Sequence, residues 1–219
     1  MSDLIIKYGK NEVSIANKED LFSKEAEILD KRARAYLVTS SYTYIGIANL
    51  FDVVVDASLI DLSKSVMVWQ QSPGLLLYAV ISKCYESFLT APDISKAAIK
   101  NASSPFQLLT LDASWNDKKA EDLRSICASP VIKAHPLIGA ALVSFFCSQF
   151  DILGGIYSNV LGHTLAAALL NKNGLPSIYA YIPVGWSTCF DKPACYFLDD
   201  WISDYLKIAE EIIVSNGVR

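Results

Sequence analysis

Apolar side chains recur at helical spacing along most of this chain. Ala26, Leu29, Ala33 and Leu37 follow one another at three or four residues. With Ser23 as a capping residue, they predict a helix from Lys24 to Leu37. Ahead of it, Leu4–Tyr8 and Glu12–Ala16 flank Gly9-Lys10-Asn11, the pattern of a short hairpin or extended arm. Tyr44–Leu62 is apolar and carries Asp52, Asp56 and Asp61, with Val53-Val54-Val55 keeping strand open as an alternative to helix. Pro73-Gly74 marks a break. Leu75–Leu89 reads as a helix and Pro92–Lys100 as another, with Pro92 near its start. Pro105–Asp112 suits a short strand or flap, and Asp117–Ile126 a polar amphipathic helix.

The pattern changes after Ser129-Pro130, a capping residue followed by proline at a first helical position. From Ala134 to Asn171, about 38 residues, Asp151 is the only charged side chain. His135-Pro136 must kink or restart the helix at once. A helix then fits Pro136–Phe150, with Ser144 and Ser148 among its apolar residues. Gly154-Gly155 breaks it. A second helix fits Asn159–Asn171 and stops at Gly174 with Pro176 beyond. The uncharged run from Ile152 to Asn171 is about 20 residues, a spanning length. Its first half holds Gly154, Gly155, Tyr157, Ser158, Asn159, Gly162 and His163, and neither flank is biased toward Lys or Arg. A buried helix therefore fits better than a membrane span. Asp199 caps a final helix whose apolar face is Ile202, Tyr205, Leu206, Ala209, Ile212 and Ile213. These elements predict a mainly α protein of one domain: an N-terminal arm over 1–22 and a helical core over 23–219.

Composition narrows the function without fixing it. The 219 residues are 52% hydrophobic and carry a net charge of −4, with no basic cluster that would serve a nucleic-acid surface. Lys31, Arg32 and Arg34 follow Glu25, Glu27 and Asp30 and read as a solvated helix face. The cysteines at 84, 127, 147, 189 and 195 form no C-x-x-C pair and no zinc spacing, which points to a cytoplasmic or other reducing compartment. The N-terminus lacks the pattern of a secretory signal.

The C-terminal half resembles the Fic/Doc (Fido) family, whose domains join two helices through a tight anion-binding loop with the motif HPFxxGNGRxxR. The resemblance lies in "HPLIGAALVSFFCSQFDIL" from His135, "GGIYSNVLGHTL" from Gly154, "AAALLNKNGLPSIY" from Ala166 and "DDWISDYLKIAEEI" near the end. Upstream, "ARAYLVTSSYTYIG" from Ala33 is similar to the family's inhibitory segment, without its glutamate. The resemblance implies a Fic-like helical core. The signature residues depart from it. Aligned on Gly162-His163, the catalytic histidine falls on Ile152, the acidic metal-binding residue on Ile156, the asparagine on Ser158 and the two arginines on Val160 and His163. One deletion brings Asn159 onto the asparagine. Isoleucine can neither deprotonate a hydroxyl nor hold Mg²⁺, so AMP transfer by the family's mechanism is not expected.

Three readings follow. The first is a pseudoenzyme, a Fic-like protein that binds a protein partner as a regulatory module, with homo-oligomerisation open. The second is an enzyme with a rebuilt phosphate-ligand transferase site. There Gly154, Gly155, Ser158, Asn159, Gly162 and His163 would line a helix N-terminus that favours an anion, a nucleotide or another phosphate. The third is an unrelated all-α or membrane-associated protein. No metal site and no obligatory cofactor are read from the sequence. His135, before proline, is expected to cap or pack. Tyr179, Tyr181, Trp186 and Phe190 form an aromatic group whose simplest use is core packing.

Overall fold

The computed structural model describes residues 5–8, 11–14, 16–39, 73–108, 117–150, 153, 156–180, 182 and 198–215. Tyr44–Leu62, Tyr181, Trp186, Cys189, Phe190 and Cys195 lie outside them. The described chain is mainly α. It opens with a two-stranded antiparallel hairpin, β1 (Ile5–Tyr8) and β2 (Asn11–Ser14), paired Ile5 with Ser14 and Tyr8 with Asn11. Helices follow as α1 (Ala16–Thr39), α2 (Pro73–Thr90), α3 (Lys96–Ser103), α4 (Asp117–Cys127), α5 (Pro130–Ala134), α6 (Pro136–Phe150), α7 (Ile156–Lys172) and α8 (Leu198–Ser215).

Several boundaries differ from the sequence reading. Helix α1 begins at Ala16, so Ser23 lies inside it and the arm ends before residue 22. No glycine or proline separates Ala16 from Thr39, and local propensity carries the helix upstream. Pro73 opens α2 instead of breaking the chain, a position where its missing N–H costs nothing. Pro92 precedes α3. The cap there is Ser95, whose hydroxyl accepts from the Ala98 N–H at 3.1 Å. Over the described part of the expected strand or flap, Ser104–Leu108 is a 3₁₀ turn. Asp199 lies within the first turn of α8, one residue past its start.

Helices α6 and α7 form an antiparallel hairpin at the centre. Helix α7 packs on α6 and α2, and α6 also meets α1, α4, α5 and α8. Every side chain from Pro136 to Cys147 and from Ser158 to Leu170 is buried. This explains why the stretch carries no charge: each face meets another helix, and an unpaired ion there would be costly. Among the described residues no helix is long and apolar enough to cross a membrane.

Gly162 sets how closely the hairpin closes. A Cβ on it would lie 2.6 Å from Cys147 Cβ and 3.1 Å from the Ser144 carbonyl oxygen. At the far end, Gly174 adopts φ +75°, where the absence of a side chain removes the steric penalty. Its N–H donates to Asn171 O and the Leu175 N–H to Leu170 O, each at 3.0 Å, a Schellman stop. Arg34 of α1 reaches across to donate to Gly174 O at 3.1 Å.

Helix α8 docks along α6 and α1, with Trp201, Ile202, Tyr205, Leu206 and Ala209 fully buried. Its salt bridge to α1, Arg32 to Glu210 at 2.7 Å, is half exposed and contributes little next to that burial.

Candidate functional site

The polar residues singled out in the sequence do converge, and they converge on the protein's own backbone. Helix α7 starts at Ile156, three residues earlier than Asn159, so Asn159 lies inside the helix and does not cap it. Ser158 is fully buried, and its hydroxyl oxygen accepts from the Leu153 N–H at 2.7 Å. That bond pins the turn between the two central helices. Gly154, Gly155 and Ile152 lie outside the described residues, as does any anion loop they would form.

Asn159 and His163 are one turn apart on α7 and share a face. Asn159 Nδ2 donates to Ile182 O at 3.0 Å, and the Ile182 N–H donates to His163 Nε2 at 3.2 Å. The pair thus satisfies both main-chain groups of a buried residue in an irregular segment, the service a neighbouring strand would otherwise supply. The Ser148 hydroxyl lies within reach of Asn159 Oδ1 and, at 2.7 Å, of Ser144 O, so its single proton is shared between two acceptors.

His163 is 1% exposed. Burial lowers its pKa to about 3, with the bond to Ile182 entering as a smaller opposing influence. The ring is therefore neutral at physiological pH. Because Nε2 accepts, the proton sits on Nδ1. The imidazole stacks near Trp201 (centroids 6.0 Å apart, planes at 18°) and Tyr205 (6.3 Å, 4°). Trp201 Nε1 donates to Ser144 Oγ at 3.0 Å, and Ser144 Oγ donates to Ala141 O at 2.9 Å. On the other side, Tyr179 donates to Val160 O at 3.3 Å, and Tyr85 and Ser177 share a short hydroxyl–hydroxyl bond. The result is a polar seam joining α6, α7 and α8 to the segment from Ser177 to Ile182.

Other candidates stand elsewhere. His135 is half-buried between α5 and α6, and its carbonyl accepts from the Gly139 N–H at 3.0 Å, the capping role expected of it. Near it, burial raises the Asp30 carboxyl to about 6, against the opposing pull of Arg34 and His135. Cys84, Cys127 and Cys147 are buried thiols, and burial pushes all three up, Cys127 to about 12. At neutral pH none is a thiolate, the form that attacks or binds metal. No group of three His, Cys, Asp or Glu able to hold a metal occurs among the described residues.

Sequence reasoning missed Trp201 and Ile182 as partners of His163. The available signal was Ser144 and Ser148, hydroxyls four apart in a largely apolar helix, which must bond inward. Chemically the seam can hold a backbone segment and exclude water. Using His163 as a base or an anion contact would require giving up the bond to Ile182. Set against protein-family models, curated proteins and solved structures, the chain matches none of them.

Proposed function

We propose that the chain is a Fic-like helical module without the family's catalysis, acting by binding a protein partner. One observation carries this reading. Asn159 and His163, which stand at or beside motif positions, are both engaged by the backbone of Ile182. A histidine that stays neutral and accepts a buried N–H stabilises structure. It supplies neither the positive charge of a motif arginine nor an accessible base. This also weighs against a transferase site rebuilt around His163.

The test pairs two measurements on the full chain. Incubated with labelled ATP, Mg²⁺ and protein targets, it should transfer no AMP. A stoichiometric protein partner should co-purify with wild type and with His163→Gln alike. Transfer that disappears in His163→Gln would overturn the proposal.

A further inference from the structure

Away from the seam, at the C-terminal end of α7, the surface opens into a cleft of about 450 Å³. It lies between the turn after α2, the α4–α5 junction and the end of α7. Asp93, Ser129, Ile132, Lys133, Lys172 and Asn173 are among its lining residues. We propose that this cleft is a binding site for a small phosphorylated molecule, a site beyond the partner-binding reading above and independent of it.

Three observations point to a ligand of that class. The first is Ser129. It is 93% buried by its 7% exposure, it lines the cleft, and its hydroxyl has no hydrogen-bond partner. A buried hydroxyl in that state costs free energy unless something occupies the site. It also does not cap α5, although it precedes Pro130; its main-chain groups are both used, the carbonyl by the Ile132 N–H at 3.2 Å and the N–H by Ile126 O at 3.0 Å, and its hydroxyl is not.

The second is the pair of lysines. Lys172 is held in place by one bond to Ala91 O at 2.7 Å and by the Phe88 ring, 5.8 Å from its Nζ. An ammonium has three donors, so two remain for a ligand. Lys133 is exposed on the adjoining wall. Lysines near helix C-termini often serve only to offset the terminal carbonyls. Lys172 plays that part for α2 through Ala91 O, with one of its three donors; at the ends of α7 and α4 the carbonyls already have backbone donors: Gly174 N–H on Asn171 O, Leu175 N–H on Leu170 O, and Ala128 N–H on Arg124 O.

The third is the balance of charge. Two ammonium groups face a single carboxylate, Asp93. A phosphate monoester carries about −1.5 to −2 charges at neutral pH and three acceptor oxygens, a match for two ammonium groups and a hydroxyl. A carboxylate brings one charge and two oxygens. Asp93 suits a hydroxyl on the rest of the ligand. The volume lies in the small-molecule range of roughly 300–1,000 Å³.

The experiment is an amide NMR titration of the full chain with inorganic phosphate and with glycerol 3-phosphate, against chloride at matched ionic strength. Saturable shifts are expected at residues 93–94, 127–129, 131–133 and 172–173, with glycerol 3-phosphate binding more tightly. Loss of one charge-assisted bond is worth about tenfold or more. Lys133→Glu, an exposed change that leaves the core untouched, should weaken binding by at least that factor, and Ser129→Ala should weaken it as well. Lys118→Glu, on the exposed side of α4, should not. Shifts that stay linear in phosphate, that also arise with chloride, or that survive Lys133→Glu unchanged would overturn the proposal. Because the titration contains no second protein, its outcome does not depend on whether a protein partner binds.

Discussion

Asn159 and His163 hold the two ends of one residue: the asparagine donates to the carbonyl of Ile182, and the histidine accepts its N–H. A helix here does the work of a strand. Asn159→Ala would leave the Ile182 carbonyl buried without its donor and should cost about 1–3 kcal/mol. Asn159→Asp should cost more, because a carboxylate cannot donate and would be buried beside the Ile182 oxygen. Urea denaturation of the three proteins gives the ranking; an Asn159→Ala variant as stable as wild type would show the clamp to be idle.

His163 predicts a pH dependence of stability. Its folded pKa, about 3, lies below the unfolded value of 6.5. Between those values the unfolded chain binds a proton that the folded chain refuses. Stability is therefore complete above about pH 6.5 and falls as pH falls toward 3, by on the order of 5 kcal/mol at 1.36 kcal/mol per pKa unit. Asp30 acts oppositely. Its folded pKa is raised to about 6, so the folded state gains protons first as pH drops through that region, a smaller and solvent-screened effect. In His163→Gln the amide oxygen can still accept from Ile182, but nothing titrates. The acid slope should flatten in that variant, and an unchanged slope would point to another group.

Gly162 should not tolerate alanine. The new methyl would meet Cys147 Cβ at 2.6 Å, and overpacking of that kind costs about 1–3 kcal/mol. Since the conflict is with Cβ and not with sulfur, Cys147→Ala should fail to relieve it, whereas Cys147→Gly should relieve it in part. Thermal melts of the double variants separate the two cases.

Helix α8 gives a contrast between neighbours. Leu206 is fully buried and Lys207 exposed. Leu206→Ala should lose about 2–5 kcal/mol, while Lys207→Ala should stay within about 0.5 kcal/mol of wild type. Equal losses in chemical denaturation would mean that α8 does not dock as described.

What the sequence revealed and what it hid follow from locality. Helix α6 was readable to the residue, because His135-Pro136 forbids an earlier start and the apolar run has no competing period. The end of α7 was readable from Gly174, since a left-handed stop nearly demands glycine. The start of α7 was not. Ser158 and Asn159 read as lining a helix N-terminus, yet their side chains serve Leu153 and Ile182, at separations that no local pattern encodes. The polar group near His163 was visible for the same reason that its role was not: a buried polar residue announces a partner but not which one. Trp201, 38 positions away from His163, could be identified only in three dimensions.

The contact between α1 and α8 has a consequence for the order of assembly. Helices α6 and α7 are neighbours in the chain, and closing their hairpin costs little loop entropy. The Arg32–Glu210 contact closes a loop of 178 residues. Such a closure adds an entropic penalty that grows as (3/2)RT ln n, and its partners must wait for the hairpin they both lie against. We expect the hairpin to nucleate the fold and α1 to be the last helix captured and the first released. Native-state hydrogen exchange should then show α1 amides opening at lower free energy than those of α6 and α7; equal protection would mean that the first helix and the central hairpin unfold as one unit.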